Sequence, residues 1–121
     1  MSLADARAAI GARFRLHGRD PATGLDCVGL AAIGMGLSDI PSGYALRSGD
    51  VPRVRAGIAA LGLVEVPDRR AGDLLLMRAG PGQMHLAIDS GDGIIHADAM
   101  LRRVVERPGE IPWPVIGRWR L

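Results

Sequence analysis

The sequence predicts an α+β domain in which N-terminal helices pack on an antiparallel β-sheet. Apolar residues recur at helical spacing in the first half of the chain, and after Pro67 the spacing changes to the alternation typical of strands. Helices and strands do not alternate strictly, which argues against a doubly wound parallel sheet. With 121 residues, 48% of them hydrophobic, and no internal repeat or linker, the chain is expected to form one domain over residues 1–121.

Three helices are predicted in the first half of the chain. The first spans residues 3–18, where Gly18 is a typical C-cap residue. The second begins after Asp26, a favoured N-cap residue, and runs over residues 27–37. The third follows an aspartate, carries a proline in its first turn and spans residues 51–61.

Five strands are predicted in the second half, and they complete an antiparallel sheet. They span residues 73–78, 83–89, 94–97, 101–106 and 115–121. The segment Ser90-Gly91-Asp92-Gly93 is a turn between the second and third of these strands. An even number of loop residues places His85 and His96 on the same face of the sheet. With the turn at Gly91-Asp92 or over all four residues, Asp89 lies opposite Ile94, which we expect; a turn at Asp92-Gly93 would place His96 there instead.

Composition argues against several classes of function. All fifteen cations are arginine, scattered along the chain, and four aromatic residues cannot form a row of stacking platforms, so nucleic-acid binding is not expected. No stretch reaches the roughly 18 apolar residues of a membrane span. Charged residues interrupt the N-terminal apolar pattern, which predicts synthesis in the cytoplasm without a signal peptide. One cysteine and three dispersed histidines match no zinc spacing, so we expect no metal or cofactor.

Cys27 is the first candidate for chemistry, because the predicted second helix begins there. Unpaired N–H groups and the helix dipole at an N-terminus can lower a thiol pKa from about 8.5 into the range of about 3.5–7.5. The same N–H groups can bind the oxyanion formed when the sulfur attacks an amide carbonyl. The alternative is that Cys27 is a small, inert side chain in the core.

His85 and His96 each interrupt an apolar strand. A single histidine facing a core usually has a structural role, so either one alone is a weak candidate. With Asp89 opposite Ile94, however, the two histidines lie diagonally on one face, with about 7–8 Å between their Cα atoms. One ring can then act as a base toward Cys27 while the other orients it, which is the arrangement that covalent catalysis requires.

Four segments together resemble the NlpC-type cysteine peptidases, which cut bacterial cell-wall peptides. Gly24-Leu25-Asp26-Cys27-Val28-Gly29-Leu30 resembles the Asp-Cys-Ser-Gly-Leu nucleophile motif, and Gly72-Asp73-Leu74-Leu75 resembles a Gly-Asp-Leu strand start. Met84-His85-Leu86-Ala87-Ile88 resembles the His-Val-Gly-Ile strand, and the segment from Gly91 to Ala97 ends in the family's Ile-His-Ala. The four segments occur in family order within residues 14–98.

This resemblance implies a papain-like fold and hydrolysis of amide bonds in peptidoglycan stem peptides, typically between D-glutamate and a diamino acid. It assigns Cys27 as the nucleophile, His85 as general base and later acid, and His96 as the residue that orients His85. Asp26 is expected to bind the amino end of the stem peptide, although helix capping is an equally good role for it. Tyr44, in the loop after the second helix, is a candidate for the substrate groove or for a cover over the core.

The chain departs from the family pattern at two positions. Val28 replaces the usual serine after the nucleophile, and no tyrosine lies about a dozen residues upstream. The short chain also resembles peptidases of phage tails and gene-transfer particles, which suggests particle proteins as partners and the cell wall as the place of action. The alternatives are an amidase or acyltransferase with the same cysteine and histidines, and a particle-assembly component with little turnover.

Overall fold

The computed structural model describes residues 3–38, 46 and 49–121. The elements along the chain are α1 (Leu3–Ala8), β1 (Arg19–Asp20), β2 (Gly24–Leu25), α2 (Cys27–Met35), α3 (Val51–Ala60), β3 (Val64–Glu65), β4 (Leu74–Gly80), β5 (Gln83–Asp89), β6 (Gly93–Asp98), β7 (Arg103–Pro108) and β8 (Val115–Arg120). Helices thus precede the main run of strands, and the α+β class is confirmed.

The main sheet contains six strands in the order β3-β8-β4-β5-β6-β7, and all neighbours are antiparallel. The β5–β6 hairpin has the predicted register, because Asp89 pairs with Ile94. Its turn is closed by a bond from the Ser90 N–H to the Gly93 carbonyl, 2.9 Å long. β1 and β2 form a separate two-stranded ribbon directly before α2.

The two faces of the sheet bury different apolar clusters. The helix side packs α2 and α3 against alternate strand residues, among them Leu86, Ile88 and Ile95. The other side carries a smaller cluster, formed by Leu75, Met77, Ala87 and Ile94 together with Ile111 and Trp113. Because side chains alternate across a strand, His85 and His96 belong to this second face.

The helix α2 is held at both ends by the residues that the sequence indicates. Asp26 is its N-cap, with the carboxylate accepting the Gly29 N–H at 2.8 Å. Gly36 ends the helix in the left-handed conformation, with φ 67°, which glycine adopts without strain. Almost every residue of α2 is buried, since the helix lies between α1 and the sheet.

The predicted length of the first helix is wrong, because α1 ends at Ala8. Gly11 takes a positive φ of 92°, and the following residues extend along the edge strand β7. The Gly11 N–H donates to the Val104 carbonyl, and the Val104 N–H donates to the Ala12 carbonyl, both at 2.8 Å. Pairing with an otherwise open sheet edge therefore replaces continued helix.

The other predicted elements are present, with shifts of a few residues at their ends. The second and third helices correspond to α2 and α3, and the five predicted strands correspond to β4–β8. The two-residue strands β1, β2 and β3 were not predicted, because they are too short to show a periodicity. Within the described ranges, none of the helices has the length and apolar character needed to cross a membrane.

Candidate active site

Cys27 is the first residue of α2, where the sequence analysis places it. Its side chain is partly buried and packs beside the helix-side core. The backbone N–H groups of Cys27 and Val28 lie close enough to the sulfur to stabilise its thiolate. Both groups belong to the first turn, where N–H groups have no partner within the helix, so they remain available to an oxyanion.

Asp26 uses both carboxylate oxygens within the protein. Oδ1 accepts the Gly29 N–H at 2.8 Å and the Arg19 guanidinium at 2.9 Å. Oδ2 accepts the His17 N–H at 2.8 Å. Asp26 therefore acts as the cap of α2. Its binding of a substrate amino group stays a prediction.

The β5–β6 ladder ends before it reaches the two histidines. The paired residues in this ladder are Asp89 with Ile94 and Ile88 with Ile95. Beyond these pairs the strands separate, and β6 continues to pair with β7 as far as Asp98. We call this separation the fork. Neither His85 nor His96 is therefore part of a ladder pair between these two strands.

The fork is where the Cys27 thiol meets the sheet. In β5 the N–H groups of Met84 and Leu86 point toward β6, because backbone groups alternate along a strand. Past the fork, the Met84 N–H donates instead to the Leu46 carbonyl at 2.7 Å. The Leu86 N–H lies within hydrogen-bonding reach of the Cys27 sulfur. α2 thus places the thiol beside the residue that follows His85.

The rings of His85 and His96 are in direct contact. His85 Nε2 lies 3.0 Å from His96 Nδ1, and the ring planes are almost perpendicular at 86°. The predicted same-face arrangement is confirmed. Since Nε2 of His85 is engaged by His96, Nδ1 is the His85 nitrogen left for Cys27. In the described part of the chain, no hydrogen bond joins the thiol to this ring, and a sulfur–nitrogen distance of 4 Å or less stays a prediction.

Trp113 covers both imidazoles from the β7–β8 connection. Its ring centroid is 5.4 Å from that of His85 and 5.6 Å from that of His96, with edge-on geometry in both cases. The Arg107 guanidinium lies 5.9 Å from the Trp113 ring centroid. Trp113 therefore shields one side of the imidazole pair from water.

The expected lowering of the thiol pKa is wrong. Burial raises the pKa of Cys27 from 9.0 to about 11, and the nearby Asp26 carboxylate adds to the rise. These effects outweigh the N–H groups at the helix start and on Leu86, which act in the opposite direction. At neutral pH the resting thiol is consequently protonated.

The two histidines are also held neutral. Burial lowers the pKa of His85 from 6.5 to about 4, His96 lowers it further, and Asp98 opposes the change. Burial likewise lowers the pKa of His96, with Asp98 opposing and Arg107 adding to the effect. A neutral imidazole has a free lone pair, so His85 can accept the thiol proton directly.

Of the five predicted site residues, the structure brings His85 and His96 into contact and places the Cys27 thiol beside the backbone of Leu86, the residue that follows His85. Asp26 lies next to Cys27 as the helix cap, and Tyr44 lies outside the described residues. Trp113 was missed, since no local pattern shows that the β7–β8 connection crosses the sheet.

Comparison with known proteins supports the fold through a solved structure. No family model matches the chain, and no curated protein matches it by sequence. Among solved structures, it is similar to the NlpC/p60 domain of peptidoglycan hydrolase SagA, with 27% sequence identity and a TM-score of 0.64. The match covers 98% of this chain and 95% of that one. The papain-like fold is confirmed.

Proposed function

We propose, since this chain is an NlpC/p60-type domain, that it is a peptidoglycan hydrolase acting as a cysteine endopeptidase. The substrate is a stem peptide, and the bond cut joins D-glutamate to a diamino acid. The observation that carries the proposal is the fork, where a helix-terminal thiol lies beside the residue that follows His85 and the His85 ring contacts that of His96. The similarity to a hydrolase domain over nearly the full chain supports it.

The reaction begins from the neutral pair. His85 Nδ1 takes the Cys27 proton while the sulfur attacks the amide carbonyl, which forms a tetrahedral oxyanion. The first-turn N–H groups of Cys27 and Val28 bind that oxyanion. The His85 imidazolium then gives its proton to the leaving amine, and a thioester remains. His85 next activates a water molecule, which hydrolyses the thioester and restores the thiol.

The test is digestion of purified peptidoglycan and defined muropeptides, with the fragments identified by mass. The wild type should release products cut between D-glutamate and the diamino acid, whereas Cys27→Ser should reduce the rate by at least about 100-fold, because a serine hydroxyl ionises far less readily than a thiol. Circular dichroism should show an unchanged fold. Wild-type digestion that survives in the serine variant would refute the nucleophile assignment.

The same digestion, repeated with an added amine, separates hydrolysis from acyl transfer. Fragments carrying the added amine would identify an acyltransferase, since a thioester can pass its acyl group to an acceptor other than water. No turnover on any wall substrate would instead favour a particle-assembly role. Delivery by a phage-tail or gene-transfer particle stays a prediction.

A further inference from the structure

His96 has a buried ring nitrogen without a hydrogen bond. Its Nδ1 contacts His85, but Nε2 has no partner among the described residues, and the residue is only 2% exposed. The carboxylate of Asp98 is close, with Oδ2 3.9 Å from Nε2. That distance exceeds a hydrogen bond by almost 1 Å. Because leaving a buried N–H unpaired costs free energy, the closing of this gap would be favourable.

The two oxygens of Asp98 have different surroundings. Oδ1 accepts the N–H groups of Met100 and Leu101, at 2.8 and 3.0 Å, and so holds the turn after β6. Oδ2 takes part in neither bond and faces His96. Burial raises the pKa of Asp98, but these N–H groups and the imidazoles outweigh it and lower the pKa below 3.8. The carboxylate is therefore ionised at neutral pH.

We propose that Asp98 is a positioning residue that fixes the tautomers of both imidazoles, an inference that rests on the proposed function. In this arrangement Oδ2 accepts the Nε2–H of His96, so that His96 Nδ1 carries a lone pair. That lone pair accepts the Nε2–H of His85. His85 Nδ1 is then the unprotonated nitrogen, and it takes the proton of the Cys27 thiol. When His85 becomes an imidazolium, it still donates to His96, and the Asp98 charge stabilises it.

The substitution Asp98→Asn separates this role from a structural one. The asparagine oxygen can still accept the turn N–H groups, while its NH₂ group faces His96 Nε2. His96 Nε2 must then accept, Nδ1 carries the proton, and His85 receives a donor at its Nε2. The proton of His85 moves to Nδ1, and the lone pair needed by Cys27 is lost. A role limited to the turn would leave both tautomers unchanged.

The tautomers can be measured without substrate, by long-range ¹H–¹⁵N NMR of the protein labelled with ¹⁵N-histidine. Signals are assigned with His85→Gln and His96→Gln. At pH 7 the wild type should carry its proton on Nε2 in both rings, and Asp98→Asn should move both protons to Nδ1. A wild-type His85 protonated on Nδ1 would overturn the proposal even if Asp98→Asn failed to fold, and so would unchanged tautomers in a folded variant.

Activity gives the second measurement. Asp98→Asn should lower kcat by at least about tenfold with little change in KM, because the wrong tautomer removes the general base and leaves the substrate contacts unchanged. Asp92→Asn is the matched control, since it removes a carboxylate from the turn at the other end of the β5–β6 hairpin, and it should keep the wild-type rate. A rate within twofold of wild type in Asp98→Asn would overturn the proposal. An inactive wild type with the expected tautomers would refute the proposed function alone.

Discussion

Cys27 and His85 rest as a neutral pair, because burial shifts their pKa values in opposite directions. The pKa of His85 is about 4 and that of Cys27 is about 11, so the protonation state of the pair is constant between these values. We expect kcat/KM to be flat within about twofold from pH 5 to 9 and to fall below pH 4.5, where His85 becomes protonated and can no longer accept the thiol proton. Digestion of a soluble muropeptide over this range measures the profile. A change of kcat/KM with pH between 6 and 8 would instead show that His85 titrates as it would in water.

The same buried imidazole makes stability depend on pH. Between pH 6.5 and 4 the unfolded chain binds a proton at His85 that the folded protein does not bind, so the free energy of unfolding decreases as the pH falls through this window. The loss from this group is about 3 kcal/mol, at roughly 1.4 kcal/mol for each pKa unit. Urea denaturation at several pH values measures it. His85→Gln should be less sensitive over this window, and an equally steep loss in that variant would refute the assignment to His85.

At the scale of elements, the start of α2 is fixed by a contact that leaves no room for a side chain at Gly29. A Cβ there would lie 2.1 Å from the Gly18 carbonyl oxygen, a backbone atom that cannot turn away. We expect Gly29→Ala to lower the free energy of unfolding by about 2–3 kcal/mol, the upper range for overpacking, and to reduce activity by displacing Cys27. Gly80→Ala is the control, since its Cβ would make only ordinary contact at 3.5 Å. Equal stabilities of the two variants would show that the α2 start is more mobile than the contact implies.

The sequence predicts elements well where local patterns and packing agree. α2 and α3 have aspartate N-caps, and the strands of the second half are short apolar runs bounded by turn residues, so these elements appear close to their predicted ends. α1 fails because the apolar spacing up to Phe14 is also compatible with an extended segment. The extended conformation forms because an edge strand about 90 residues away offers backbone partners at Val104, and no local pattern reveals them.

The features of the candidate site also differ in how far the sequence predicts them. Cys27, His85 and His96 are predicted from their residue types. The even number of residues in the hairpin loop also predicts that the two histidines share one face of the sheet. The fork cannot be predicted, because the loop length fixes side-chain faces only in a continuous ladder and does not indicate where two strands separate. Burial also decides the sign of the thiol pKa shift, and burial depends on packing across the whole chain. Asp98 lies one residue beyond the predicted strand 94–97, and only the structure shows its carboxylate facing His96.

At the scale of the whole molecule, one buried carboxylate joins three distant parts of the chain. Asp89, at the end of β5, is fully buried and binds Arg69 from the loop before β4 and Arg118 from β8. Asp89→Asn would leave these cations without their counter-charge. We expect a loss of about 2–3 kcal/mol, below the usual range for a broken buried pair, because Arg69 is 43% exposed and can turn to water.

Urea denaturation against a matched surface substitution tests this prediction. Glu65→Gln removes the exposed partner of Arg55, and surface pairs contribute at most about 1 kcal/mol. The Asp89 variant should therefore lose clearly more stability than the Glu65 variant while its remaining folded fraction keeps wall-digesting activity. Equal losses would show that burial of Asp89 adds nothing to the value of its ion pairs.

The fork also separates the local opening of the site from unfolding of the whole domain. Amides inside a continuous ladder exchange with solvent only when several strands open together, whereas the Leu86 N–H lies beside the Cys27 sulfur, which is a weak acceptor. The Leu86 amide can therefore exchange without opening of the β4–β5 ladder, which continues through His85 to Gln83. Where β5 carries His85 it therefore has two different edges: one is held in a continuous ladder with β4, and the other, past the fork, can open without disturbing that ladder.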